Sequence, residues 1–254
     1  MLSKSTIKFV RQLHQKKYRN EHKLFIVEGE KIIRELLTSS FTIHSIFGVE
    51  PWLSESMKGD EKFSAHVVND KELGELSLLD APNKALALVE QADLQTEVQF
   101  ATDKNYLLLD AIRDPGNLGT ILRIADWYGI DQLVLSPDCV EIYNPKVVQS
   151  SMGSILRVNY AEAHLDELLK KTKNDKRPLV YGALLEGKNL YDIKFNKGSI
   201  LMIGNESKGL SDNVRKLIDI AITIPSFNMG IERSESLNAA VAAAICCSEI
   251  RRRQ

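Results

Sequence analysis

The chain has 254 residues, 44% of them hydrophobic and 26% charged, with a formal net charge of −1 at pH 7. That length and composition suit a globular protein of one large or two modest domains, and the near-neutral balance excludes a protein that coats nucleic acid by bulk attraction while permitting a local basic face. Neither a secretory leader pattern nor a run approaching the roughly 18 apolar residues of a membrane span is found, so a cytoplasmic protein without a membrane partner is expected.

Charge is uneven along the chain. Met1 to Lys23 holds seven basic residues (Lys4, Lys8, Arg11, Lys16, Lys17, Arg19, Lys23) and one acid, Glu21. Ile7, Val10 and Leu13 form one apolar stripe, which predicts a helix over 7–17, followed by Tyr18, Arg19 and a turn at 20–23. Lys16, Lys17, Tyr18 and Arg19 are candidates for RNA contact, the cations for phosphates and Tyr18 and Arg19 for stacking or ribose. The plain alternative is a solvated helix face. Alternating elements follow: strand 24–27, a helix opened by Glu28-Gly29, strand 43–49, helix 51–57, strand 65–68, helix 70–79 capped by Asp70, and strand 85–89. This pattern predicts a small α/β domain over 1–95. The acidic, irregular stretch 90–103 reads as a linker.

From 104 to 254 strand and helix alternate again, which predicts a parallel α/β domain. Its strands are expected at 106–109, 132–135, 157–160, 179–183, 199–203 and 221–224. Helices are expected from Leu118 to Trp127 and over 145–152, 164–173, 211–217 and 236–251. The last helix runs apolar on all sides from Ala239 to Cys247 and is expected to be buried on most of them, within one subunit or between two. Cys139, Cys246 and Cys247 have no disulfide or metal spacing and read as buried thiols, and the five histidines are scattered, so no metal is expected.

Three strand-to-loop transitions carry polar residues suited to chemistry. The first, Leu107 to Ile130, places Asn117 and Arg123 about the start of a helix, where a parallel sheet opens a crevice; Asn117 as the helix cap and Arg123 as a solvated charge is the plain alternative. The second reads Gly204-Asn205-Glu206-Ser207-Lys208-Gly209 after an apolar strand. The third runs from Ile224-Pro225 to Ser236-Leu237-Asn238 and into the last helix. Gly204 and Gly209 permit close approach of the main chain to a ligand, while Ile203, Ile224, Pro225 and Leu237, with Ala183 and Leu184, are suited to line an apolar pocket. Ser236 and Asn238 are placed to cap the last helix, bind a cofactor carboxylate or orient Arg123.

In this order, Asn-x5-Arg, Gly-x-Glu-x-x-Gly and Ile-Pro…Ser-Leu-Asn resemble the three motifs of the SpoU-type (TrmH-like) RNA ribose 2′-O-methyltransferases of the SPOUT superfamily. The run Lys16 to Arg19 with Phe25-Ile26-Val27-Glu28-Gly29 is similar to the substrate-binding domain of that family, which is related in fold to RNA-binding ribosomal proteins. The resemblance implies a deep trefoil knot at the C-terminus and a homodimer built there. It also implies S-adenosylmethionine as cofactor, bound by Ala183, Leu184, Ile203, Gly204, Asn205, Gly209, Ile224, Pro225 and Leu237, and ribosomal RNA as the favoured substrate over transfer RNA.

The catalytic candidates are Asn117, Arg123, Glu206, Ser236 and Asn238. By resemblance Arg123 accepts the 2′-hydroxyl proton; because a guanidinium stays protonated at neutral pH, Glu206 remains open as the base. Asn144-Pro145-Lys146 also resembles a family segment, with substrate contact and a helix start as its two readings. The ten residues Ser226 to Glu235, which include Phe227 and Met229, make a loop longer than is usual for the family and bear on substrate choice. A non-catalytic RNA-binding factor and a dinucleotide-dependent oxidoreductase are the other functional classes. The second lacks the glycine fingerprint such enzymes need.

Overall fold

A computed structural model of the chain describes residues 2–57, 63–79, 81–93, 97–172, 177–228 and 236–254. These form two compact units, one of residues 1–93 and 141–157, the other of residues 94–140 and 158–254.

The first unit begins with α1 (Lys4–Gln12), whose first turn is capped by the Ser3 hydroxyl accepting from the Thr6 amide at 3.0 Å. After α2 (Lys16–His22) come β1 (Leu24–Glu28), α3 (Glu30–Leu36), β2 (Ile43–Gly48), α4 (Glu50–Ser56), β3 (Ser64–Val67), α5 (Asp70–Leu76) and β4 (Ala85–Glu90). The strands make one sheet in the order β1-β4-β2-β3, with only the β2–β3 pair parallel. Val10 and Leu13 of the first helical segment meet Leu24, Ile26, Phe47, Leu73, Leu76, Leu86 and Leu88 in its core. The helix expected over 7–17 is two helices, because Gln15 takes an extended conformation and starts a second one that absorbs the turn expected at 20–23. The cap of α5 is Asn69 rather than Asp70, in a reciprocal box with Glu72.

The second unit runs β5 (Asn105–Asp110), α6 (Pro115–Trp127) and β6 (Gln132–Leu135). The chain then supplies α7 (Pro145–Ser151) and a 3₁₀ turn (Ser154–Leu156) to the first unit. It returns for β7 (Tyr160–Glu162), α8 (Leu165–Lys171), β8 (Leu179–Asn189), β9 (Ser199–Gly204), α9 (Asp212–Arg215), β10 (Ile220–Thr223) and α10 (Ala239–Arg253). All five strand pairings in the sheet, ordered β10-β8-β9-β5-β6-β7, are parallel. β5 is buried along its whole length, which is why its sequence reads as a continuous apolar run. Cys246 and Cys247 are fully buried on α10, and burial raises the Cys246 thiol to about 12. Glu249 on the same helix is also buried; its hydrogen bond to Arg252, then that to Arg253, holds its carboxyl down at about 2. Among the described residues no helix is long and apolar enough to cross a membrane.

Two strands differ from expectation. The strand expected at 157–160 forms at Tyr160–Glu162, since Met152 and Gly153 turn the chain in the left-handed region and Ile155 is buried in the 3₁₀ turn. β8 continues to Asn189, six residues past its expected end, because a shift in register lets β10 pair with Lys188 and Asn189 as well as with Tyr181 and Gly182.

The segment 141–157 is tied into the first unit by a buried ion pair. Arg19 is 2% exposed; its Nε and Nη2 donate to the two carboxylate oxygens of Glu141 at 2.7 and 3.0 Å, and Nη1 donates to the Leu13 carbonyl at 2.9 Å. The Tyr143 ring lies 4.5 Å from Phe25, and its hydroxyl accepts from the Ala92 amide. Removing one partner strands the other charge away from water, at a cost of about 3–5 kcal/mol. Glu141→Ala should therefore lower the free energy of unfolding by about that amount in denaturant titration, and a change below about 1 kcal/mol would show the pair to be hydrated in solution.

Candidate active site

β5 and β9 are neighbours in the sheet, with Asp110 paired to Gly204, so the two chains leave the sheet side by side. From β5 the chain goes outward to β6 and β7, whereas β9, β8 and β10 lie on the other side. The boundary is a topological switch point, where a parallel sheet opens a crevice beyond the carboxyl ends of its strands.

Short polar contacts shape this edge. The Asp110 carboxylate, 6% exposed, accepts from the Ser211 amide at 2.7 Å. Ala111 is held at φ +57 by donating to the Ser136 hydroxyl and accepting from the Asn205 side-chain amide at 2.8 Å. Residues 205–209 close a tight ring through paired Asn205–Gly209 backbone bonds, and the Asn205 side-chain oxygen accepts from the Ser207 and Lys208 amides. A Cβ on Gly204 would lie 2.3 Å from the backbone of Gly209 and Leu210, so only glycine lets the ring fold back on the strand.

The three loops meet through side-chain amides. The Asn117 amide nitrogen donates to Glu206 Oε1 at 2.8 Å, and the Asn238 amide nitrogen donates to Asn117 Oδ1 at 2.9 Å. Asn205 donates to Glu206 Oε2 at 3.3 Å. Donor and acceptor assignments follow from the ends of the chain. An ionised Glu206 can only accept, so Asn117 must turn its NH₂ toward it and its oxygen toward Asn238; the Asn238 oxygen then faces the Ala240 and Val241 amides and caps α10. The cap of α6 is Asp114, which accepts from the Asn117 amide at 2.8 Å and is followed by proline at the first helical position. Asn117 is therefore not the cap, and its side chain is left to join Glu206 and Asn238.

Arg123 lies two turns along α6, exposed, and its side chain forms no hydrogen bond or ion pair among the described residues. Ser236 is exposed just before α10. Ile203 is buried at the end of β9. Ala183 and Leu184 follow the Gly182–Met202 pair on β8, and Ile224 and Pro225 follow β10, all half-buried at the same carboxyl edge. Leu237 is 47% exposed. Phe227 is exposed; Met229 and the rest of that loop to Glu235 lie outside the described residues. No group of three or more His, Cys, Asp or Glu that could hold a metal occurs among the described residues.

In the first unit Lys16 and Lys17 are exposed, and the Lys17 ammonium sits 5.6 Å from the Tyr18 ring centre. Arg19 corrects the sequence reading. Its guanidinium is buried against Glu141 and Leu13 and is closed to RNA. Asp110, Asp114 and Asn205 brace the site without having been singled out for that role; Asp114-Pro115, a capping residue followed by proline, was the available signal for one of them.

Residues 104–248 match the SpoU rRNA methylase family, and residues 4–87 match the MRM3-like substrate-binding domain. The chain belongs to the SpoU rRNA methylase family. It is 27% identical, over 96% of its own length and 95% of the relative's, to the 23S rRNA (guanosine(2553)-2′-O)-methyltransferase RlmP of Bacillus subtilis. A TrmH-family structure from Porphyromonas gingivalis superposes with a TM-score of 0.88 at 34% identity, covering 100% of both chains. The S-adenosylmethionine-bound rRNA methyltransferase of Sinorhizobium meliloti superposes at 0.85 and 28% identity, covering 99% of this chain and 96% of that one.

The double role of Asn238 can be separated. Asn238→Ala removes the cap and should cost about 0.5–2 kcal/mol in thermal unfolding. Asn238→Asp keeps an equally good cap but sets a carboxylate against the Asn117 oxygen. It should leave stability nearly unchanged while shifting the Asn117 side-chain amide signals in NMR spectra; unshifted signals would break the proposed chain of amides.

Proposed function

We propose that this protein transfers a methyl group from S-adenosylmethionine to a ribose 2′-hydroxyl of ribosomal RNA. The observation that carries the reading is the joining of Asn117 in the first turn of α6, Glu206 in the loop after β9 and Asn238 at the cap of α10, at the switch point of a parallel sheet. The relatives named for ribosomal RNA support that substrate over transfer RNA.

The strand-end residues fit the cofactor. Ile203, Ile224 and Pro225 at strand ends, with Ala183 and Leu184 on β8 just past its last pairing with β9, offer buried and half-buried apolar contacts, and a Cβ on Gly209 would meet nothing within 4 Å, so the main chain faces open space there. When bound, S-adenosylmethionine supplies a methyl group on a sulfonium; the ribose oxygen takes the methyl as the carbon–sulfur bond breaks, and the hydroxyl proton must leave. Leu237 and the main chain of Gly204, Asn205 and Gly209 are assigned to the same pocket.

Arg123 is the group assigned to the substrate. Exposed and unpartnered among the described residues, its guanidinium grips the ribose or its phosphate with paired donors. Glu206 is held by two amides and keeps Asn117 in register, and either Glu206 or Arg123 receives the proton. Ser236 is assigned with Asn238 to the entrance of the site. The catalytic domain is proposed as residues 104–254 and the RNA-holding domain as residues 1–95. A homodimer through α10 is supported by the exposed apolar side chains of Val241 on α10 and Trp127 on the adjacent α6. A knot in the C-terminal segment is supported by the return of the chain from β10, at the sheet edge, to α10 packed on α6 and β9. Action in the cytoplasm accords with a ribosomal RNA substrate.

The test is transfer of labelled methyl from S-adenosylmethionine into ribosomal RNA from cells lacking the gene, with transfer RNA in parallel. Ribosomal RNA should take up label, and uptake by transfer RNA alone would replace the substrate. Arg123→Ala should abolish transfer while cofactor affinity, read by calorimetry, stays within about threefold of wild type, since its lost contacts are to RNA. Near-normal turnover in that variant would remove Arg123 from the mechanism.

A further inference from the structure

Burial of Arg19 leaves the basic N-terminal segment with its free cations elsewhere. Lys4, Lys8 and Arg11 recur at i, i+4 and i+7 on α1, so they stand in one row about 6 and 10 Å apart along the axis. All three are exposed, and none of their side chains has a hydrogen-bond or ion-pair partner among the described residues. The opposite face of α1 is spent on the core, where Val10 is fully buried with Leu13, and this fixes the direction of the row. A groove runs beside it, lined by Lys4, Lys8, Arg11, Gln12 and Gln15, with Ile7 as its apolar floor.

One acid also lines this groove. Glu75, half-buried on α5, has no partner among the described residues although cations line the same cleft. A surface made only to hold anions gains nothing from a carboxylate. A ribose-phosphate chain presents both characters, phosphate oxygens that need donors and 2′-hydroxyls that need an acceptor.

We propose that the groove between α1 and Glu75 binds the RNA backbone, with Lys4, Lys8 and Arg11 on successive phosphates and Glu75 accepting a ribose 2′-hydroxyl. This rests on the ribosomal RNA reading above and assigns the surface that holds the substrate away from the reacting nucleotide. An acidic protein segment would be held by the three cations but would have no use for Glu75. DNA would lose the Glu75 contact.

The test uses the full-length protein and a ribosomal RNA fragment that it methylates. In Lys4→Gln/Lys8→Gln/Arg11→Gln the slope of log affinity against log salt should fall by about 2, since each phosphate contact contributes about 0.7–0.9. S-adenosylmethionine affinity should be unchanged. A control with Lys194, Lys197 and Lys216, all exposed, replaced by glutamine should keep the wild-type slope. Glu75→Ala should narrow the preference for the RNA over the same sequence with 2′-deoxyribose several-fold, whereas Glu75→Asp should retain part of it. If wild type methylates the fragment and the triple variant keeps its slope, the groove is not the site and the function stands. If the triple variant loses slope while Glu75→Ala keeps full RNA preference, or polyglutamate competes as well as RNA, ribose recognition here is overturned. Absence of any salt-dependent RNA binding by wild type would instead remove the functional reading itself.

Discussion

The site depends on one short chain of hydrogen bonds, from Asn238 through Asn117 to Glu206. Its three members are far apart in sequence and have no local reason to meet. They meet because β9 inserts beside β5 and pairs Gly204 with Asp110, so that the Glu206 loop leaves the sheet next to the start of α6. The link to α10 closes the arrangement, since Asn238 serves as helix cap and amide donor together. A carboxylate that can only accept fixes the amide orientations of Asn117 and Asn238, which gives a polar site a single arrangement.

The rest of the second unit maintains this edge. Continuous burial of β5 anchors the central strand, and Asp110, Ala111, Ser136 and Asn205 brace the turn after it with three backbone-directed bonds. Gly204 is required because the ring 205–209 folds directly onto the strand end. In the first unit a segment lying between two strands of the second in sequence is held by the Arg19–Glu141 pair and by Tyr143 against Phe25. Arg19 is thus structural, and the exposed charge of the basic segment lies on the row of α1 and on Lys16 and Lys17.

Much of this was legible in the sequence. Apolar runs such as Leu107 to Leu109 and Leu133 to Leu135 marked buried strands because a parallel sheet covered on both faces needs no alternation. Glu206 and Asn238 were legible as loop residues near strand and helix ends, and the structure brings them together with Asn117, which lies in the first turn of α6 rather than in the loop before it. Other features depended on distant partners. Nothing near Arg19 announces Glu141, more than a hundred residues away, so the basic run read as uniformly exposed. The break between α1 and α2 carries no glycine or proline signal, and the extension of β8 depends on a register shift in its partner strand. Asp114 was the better cap by its own chemistry, yet Asn117, three residues later, drew the reading because it opened the apolar periodicity.

The most direct measurement of the central claim is the position of the methyl group on the product. A 2′-O-methyl group removes the nucleophile that cleaves the neighbouring phosphodiester in alkali. Ribosomal RNA labelled by this protein should therefore, after exhaustive alkaline hydrolysis, release its label in an alkali-stable dinucleotide. Label in mononucleotides would place the methyl on a base and contradict a site built around a ribose hydroxyl.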